Sequence, residues 1–180
     1  HAVIMTGKRA ALLRAYVEQG GTLILGCRTG YKDTTGKCVM LEMPGLLREL
    51  SGTDVVDFTF VSPDEAPVYI DWNGNRLEAA VFNDILEPIG DARVLGTYAN
   101  SYCSGKAGLI VNTVGKGKVY YFGGTFTEDV ARAFLRETGI ISPYGHVLDI
   151  PEGCELAVRE KGDTEYLFVL NYCKETQKIE

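Results

Sequence analysis

The sequence predicts an α/β fold, a wound sheet with helices against it, followed by part of a small antiparallel β-domain. Three observations carry the prediction. A helical segment passes through Gly20-Gly21 into the aliphatic run TLILG; strand-like segments recur from Asp54 to Phe122 and lead into a second helical pattern; and the pattern changes after a Pro- and Gly-containing stretch at 139–153. Helix, glycine turn and buried strand in that order make one αβ step of a wound sheet.

Lys8 to Gln19 places Ala11, Leu12, Ala15 and Tyr16 on one stripe at helical spacing, with Arg9, Arg14 and Glu18 off it. Gly20 and Gly21 end this helix, because glycine enters the left-handed conformation of a helix terminus at little cost. Thr22 to Gly26 suits a buried parallel strand. Arg28 to Lys37 is a polar loop, and Pro44 opens a short helix, PGLLRELSG, that ends at Gly52. Asp54 to Phe60 alternates as a half-exposed strand does. Val68 to Trp72 and Arg76 to Phe82 flank Asn73-Gly74-Asn75, a hairpin signal. Further strands are expected at Ala92 to Tyr98, Ala107 to Thr113 and Lys118 to Phe122, the last two joined by Val114-Gly115-Lys116-Gly117. Thr127 to Thr138 reads as a helix capped by Thr127, with Glu128 and Asp129 in its first turn and Val130, Phe134 and Leu135 facing inward.

Beyond the boundary stretch, Cys154 to Arg159 and Glu165 to Leu170 are alternating strands joined by Lys161-Gly162-Asp163, and Ile179-Glu180 reads as part of another strand. Two and a half strands cannot bury a core alone. The first helix also starts without a preceding strand, so a piece of a longer protein is expected. The domains expected are 1–143, lacking its N-terminal start, and 144–180, the start of the β-domain.

The 180 residues carry 24 acidic and 18 basic side chains, a net charge of −6. An acidic chain whose cations are scattered offers no attraction to nucleic acid or an anionic membrane, so neither is expected as a partner. No segment approaches the roughly 18 apolar residues a membrane helix needs, and the opening residues lack a secretory layout. Five separated cysteines with no CxxC pair, and two histidines, leave no zinc ligand set at normal spacing, so no metal and no other cofactor is expected. Reduced cysteines in a cytoplasmic protein fit this pattern.

Several residues invite chemistry. Cys27, just after the aliphatic run, occupies a place where some amidotransferases and hydrolases hold a nucleophile. That role needs a base, and the only internal histidine, His146, lies in the interdomain segment without a carboxylate to orient it. A buried structural thiol is the favoured reading. Gly115-Lys116-Gly117 and Gly123-Gly124 hint at a phosphate loop, yet the first joins two strands with no helix behind it, so turn glycines explain both. Asp64-Glu65, Asp71, Glu78, Glu87, Asp91 and Glu128-Asp129 fall in turns, helix starts or exposed strand positions, and no catalytic carboxylate pair of the glycosidase kind is visible. Tyr69, Trp72, Tyr98 and Tyr102 would suit either a sugar-stacking platform or strand packing.

The run Leu13 to Leu23, the loop Arg28-Thr29-Gly30-Tyr31-Lys32-Asp33 and the segment Pro44 to Leu50 together resemble the trimerisation domain of glycoside hydrolase family 42 β-galactosidases. Gly115 to Tyr121 is similar to the end of that domain, and Glu155 to Tyr172 to the opening of the family's small C-terminal β-domain. The resemblance implies a class I glutamine amidotransferase-like fold of flavodoxin or Rossmann type without its catalytic triad. It implies a homotrimer, and a (β/α)8 barrel elsewhere in the chain that supplies both catalytic glutamates of a retaining hydrolysis of terminal β-D-galactosides. No residue here is then catalytic. Arg28, Thr29, Gly30, Tyr31, Lys32 and Asp33 are the candidates for contact with the barrel or a neighbouring subunit; a salt bridge between Arg28 and Asp33 within the loop is the alternative. A stand-alone Cys-dependent amidotransferase-like enzyme and a carbohydrate-binding module remain the other functional readings.

Overall fold

The computed structural model describes residues 2–140, 144–145 and 147–179. They divide into two units, His1–Phe134 and Leu135–Glu180. The boundary expected after residue 143 falls beside residues 141–143, which lie outside the described residues, as does His146.

The first unit runs α1 (Gly7–Glu18), β1 (Thr22–Gly26), a 3-10 turn (Gly45–Leu47) leading into α2 (Arg48–Ser51), then β2 (Thr53–Phe60), β3 (Tyr69–Trp72), β4 (Asn75–Glu78), β5 (Phe82–Pro88), β6 (Arg93–Tyr98), β7 (Ala107–Val114) and β8 (Gly117–Phe122). The helix α3 (Glu128–Thr138) contains the division between the units. The sheet has the order β1-β8-β7-β6-β3-β4, with β5 also beside β7 and β2 outside β5. The α/β class is as expected, but the winding is not. Only β1 and β8 pair in parallel among the described strands, and every other pairing is antiparallel. For β3–β4 and β7–β8 the two-residue connections are the reason, since so short a turn can only return a strand antiparallel. Asn73 and Gly74 take positive φ between β3 and β4, as a tight hairpin requires. Gly115-Lys116 join β7 to β8 in another two-residue turn, with Gly115 at φ 59°.

Both faces of the sheet are covered. Ile70, Trp72, Tyr98, Leu109, Tyr120 and Phe122 pack with Val130 and Phe134 of α3 on one face. Leu86, Ile110, Val119 and Tyr121 pack with Val17 of α1, Leu47 and Leu50 on the other. Successive side chains of a strand point to opposite faces, so β8 sends Val119 and Tyr121 one way and Tyr120 and Phe122 the other. Thr127 caps α3, its Oγ1 accepting from the Val130 N–H at 3.4 Å. Leu135, expected to face inward, is 47% exposed.

Two expectations are corrected here. The stripe Ala11, Leu12, Ala15, Tyr16 of α1 faces outward, with Leu12 62% exposed; Ala10, Leu13 and Val17 pack on the sheet instead. Both stripes have helical spacing, and the turn into β1 chooses between them. The Tyr16 ring covers Gly21 so closely that a Cβ there would sit 2.4 Å from it, and its hydroxyl donates to the Thr22 carbonyl. The segment read as one strand from Arg76 to Phe82 is broken. Val81 takes φ 61°, β4 stops at Glu78, and β5 begins at Phe82.

The second unit is a hairpin of β9 (Cys154–Lys161) and β10 (Thr164–Asn171) around Gly162-Asp163, in register from Thr164↔Lys161 to Asn171↔Cys154. None of its described residues is buried. The further strand expected at the end of the chain does not form over 172–179, and Glu180 lies outside the described residues.

Candidate functional site

The loop that sequence reasoning singled out starts where β1 ends. Cys27 is buried there, its sulfur 3.8 Å from the Thr125 hydroxyl. Burial pushes its thiol up to about 11, and the neighbouring Asp84 charge adds to the rise. A nucleophilic cysteine needs the opposite, a thiol lowered toward neutrality. Cys27 is therefore protonated at neutral pH and packs as a small apolar group.

Arg28 turns the chain with φ 62°, which aims its backbone N–H at Asp84 Oδ2, 2.8 Å away. Asp84 is wholly buried on β5. Its carboxyl also accepts from the Tyr121 hydroxyl at 2.9 Å and the Tyr31 hydroxyl at 3.3 Å, while Tyr98 donates to the Asp84 carbonyl at 2.8 Å. Burial raises the Asp84 carboxyl above its ordinary value, against the pull of the Arg28 N–H and Tyr121. Burial and the Asp84 charge also raise the hydroxyls of Tyr31 and Tyr121. Hydrogen bonds satisfy the group and join β1, β5, β6 and β8 at one corner. Gly123 closes that corner: a Cβ there would lie 2.3 Å from the Asp84 carbonyl oxygen, so no side chain fits.

The Arg28 guanidinium lies over three rings, 4.1 Å from the centroid of Tyr31, 4.5 Å from Phe58 and 5.3 Å from Phe82. Each is within cation–π range. Thr29 is buried and donates to the Gly26 carbonyl at 2.6 Å. Gly30, at φ 78°, approaches the second motif so closely that a Cβ would be 2.3 Å from the Pro44 carbonyl oxygen. The RTGYKD loop and the PGLLREL segment, separated in sequence, thus meet backbone to backbone. Lys32 bridges to Ile4 and Cys38. Asp33 Oδ1 accepts from the Thr35 N–H, the Thr35 hydroxyl and the Lys37 N–H, contacts that hold its carboxyl below the usual range. Arg28 and Asp33 do not pair: one points into the aromatic cluster and the other caps its own turn.

The remaining candidates separate. Trp72 and Tyr98 are buried, Trp72 packing on Phe134 at 4.9 Å, so neither offers a face to a sugar. Tyr102 is exposed and donates to Asp57. Gly115 and Gly117 face the carbonyls of Glu18, Val17 and Gly21, the wrong charge for phosphate. Asp71 pairs with Arg76 at 2.9 Å on the surface. Among the described residues, no three His, Cys, Asp or Glu gather as a metal site, and no helix is long and apolar enough to cross a membrane. The role of Asp84 escaped notice in the sequence, as did the strand β5 that carries it, and Phe58 and Phe82 were expected only as strand residues. Asn83 and Asp84 are poor strand formers, and only the apolar pair Ile85-Leu86 beyond them signals a strand.

Comparison with known proteins gives a consistent result. A family described as the β-galactosidase trimerisation domain matches residues 2–140. The β-galactosidase BgaA of Clostridium cellulovorans is 33% identical over 168 residues, covering 93% of this chain and 25% of that protein. The β-galactosidase BgaP of Planococcus sp. is 29% identical, covering 95% and 26%. Among solved structures, a β-galactosidase from Bacillus circulans sp. alkalophilus is 27% identical over 94% of this chain and 26% of its own, with TM-score 0.81. The GH42 β-galactosidase Gan42B from G. stearothermophilus has the same fold at 21% identity, TM-score 0.83, covering 97% and 25%. The chain spans about a quarter of the length of the curated relatives it matches.

Proposed function

Because the chain belongs to the β-galactosidase trimerisation-domain family, we propose that it assembles as a homotrimer and carries out no catalysis itself. The match over residues 2–140 is the observation that carries this reading. The interior agrees with it: among the described residues the two buried thiols, Cys27 and Cys103, are both raised by burial, and the buried Asp84 carboxylate is held by structural donors. Hydrolysis of terminal β-D-galactosides, by a retaining mechanism, belongs in this reading to a barrel outside these 180 residues. The protein works in the cytoplasm, its five cysteines reduced. The α/β domain extends to residue 143, and 144–180 opens a β-domain. The αβ step of α1 and β1 with its parallel partner β8 is what an amidotransferase-like ancestor would have left. Arg28 to Asp33 serve the assembly by ordering the surface around them, with Arg28 braced against Tyr31, Phe58 and Phe82.

Light scattering over a concentration series tests the reading. The expected mass is three times the 19.7 kDa of one chain, with no release of nitrophenol from a nitrophenyl β-galactoside. A single-chain mass at every concentration, or galactoside hydrolysis by this chain, would overturn it.

A further inference from the structure

We propose that Cys154 and Cys173 close a reversible disulfide that staples the open end of the β9–β10 hairpin. The two strands are joined at one end by Gly162-Asp163, and the cysteines stand at the other, where Cys154 faces Asn171 as the last pair of the register. No residue of these strands is buried, and two strands alone are marginal in water. A cross-link there secures a hairpin that has no buried core of its own. The latch is independent of how the chain assembles, and both cysteines are free thiols in its open state.

Asn171 brings the two cysteines together. Its side-chain Oδ1 lies 3.8 Å from the Cys154 sulfur and accepts from the Cys173 N–H at 2.8 Å, while its Nδ2 donates to the Glu175 carbonyl at 2.9 Å. The Tyr172 N–H donates to the Gly153 carbonyl at 3.0 Å, carrying the ladder one step past Asn171. Cys173 then folds its sulfur over Gly153: a Cβ on that glycine would stand 2.3 Å from it, so only glycine leaves the sulfur its place. The Cys173 thiol donates to the Glu152 carbonyl at 3.6 Å. The two thiols thus flank one peptide unit, Gly153-Cys154. Diagonal neighbours on an antiparallel pair have Cα atoms about 7 to 8 Å apart, and a disulfide spans up to about 6.8 Å, so closure needs a shift on the order of 1 Å. Cys173 is free to make it, because it lies past the end of β10 and outside any strand. The other cysteines are placed differently: Cys27 and Cys103 are buried, and Cys38 is exposed in the first unit.

The oxidant is a low-molecular-weight disulfide such as glutathione disulfide. The thiolate of one cysteine attacks it, forming a mixed disulfide and releasing one glutathione. The second cysteine then attacks the protein-side sulfur, forming the Cys154–Cys173 bond and releasing the other glutathione. The two protein thiols lose two electrons, and their two protons end on the two glutathione thiols. Excess dithiol reverses both steps. Both cysteines are partly exposed, and exposed disulfides are the labile kind, so the latch opens and closes with the thiol–disulfide balance around it.

Exposure of the folded chain to excess glutathione disulfide, followed by alkylation, digestion and peptide mass spectrometry, tests the bond. The expected product is one Cys154–Cys173 cross-link within the chain, two hydrogens lighter than the dithiol and reopened by dithiothreitol. Cys154→Ser and Cys173→Ser change partly exposed positions; each is expected to lose the cross-link and to hold glutathione on the cysteine that remains. Hydrogen exchange of the β9–β10 amides is expected to slow on the order of tenfold in the oxidised parent and in neither variant. Two thiols that stay free, glutathione carried separately by both cysteines of the parent, or a bond to Cys38 or between chains in place of this one would overturn the latch. So would a cross-link that leaves the exchange unchanged.

Discussion

The two units use similar apolar strands to opposite ends. In the first, Val119-Tyr120-Tyr121-Phe122 on β8 is buried throughout; in the second, Tyr166-Leu167-Phe168 on β10 is exposed throughout. Strand-forming residues alone do not decide burial. What decides it is cover on both faces: β8 lies with α1 and α2 side chains on one face and α3 on the other, whereas the hairpin is two strands deep among the described residues. The buried core therefore lies in the first unit.

Truncation of one aromatic in each unit breaks or sharpens this contrast most strongly. Phe134→Ala opens a cavity among Trp72, Tyr120 and Phe122, and should cost about 3 to 5 kcal/mol in urea unfolding. Phe168→Ala removes a half-exposed ring and should cost about 0.5 kcal/mol. Equal losses would mean that the hairpin is packed as tightly as the sheet.

Glycines give a second pair. Gly30→Ala combines left-handed strain with a 2.3 Å approach to the Pro44 carbonyl oxygen, so a loss of about 3 kcal/mol is expected. Gly162 has nothing near its missing Cβ, and Gly162→Ala should cost only the strain, about 1 to 2 kcal/mol. Melting midpoints of the two variants measure the difference, and a harmless Gly30→Ala would show that the two motifs do not meet as described.

The smallest effect is a change with pH. Burial raises the Asp84 carboxyl in the folded state, so the folded chain holds that proton more tightly than the unfolded chain does. Its contribution to stability is full at or below the unfolded value near 3.8 and is lost as pH rises through the folded value. Asp84→Asn cannot titrate, and it should cost about 1 to 3 kcal/mol through mismatched donors. The stability gap between parent and variant should narrow as pH rises across that window, read from urea midpoints. A widening gap would mean that the Arg28, Tyr31 and Tyr121 donors outweigh burial.

Much of this was legible in the sequence. Helical spacing, Asn73-Gly74 and the caps located α1, α3 and the hairpins, and the loop and short helix now found in contact carried the family resemblance. What stayed hidden depends on neighbours distant in the chain. Two apolar stripes on α1 look alike until Tyr16 meets Gly21. Asp84 gives no sign of its role until Arg28 and Tyr31 of the loop and Tyr121 of β8 gather around it. Antiparallel pairing, too, follows from connections whose partners are chosen only on folding.

Hydrogen exchange at low and high chain concentration tests most directly the claim that the first unit carries the assembly. The account predicts protection that rises with concentration within the first unit, while the β9–β10 amides exchange equally fast at both. Protection gained in the hairpin, or none gained in the first unit, would contradict it.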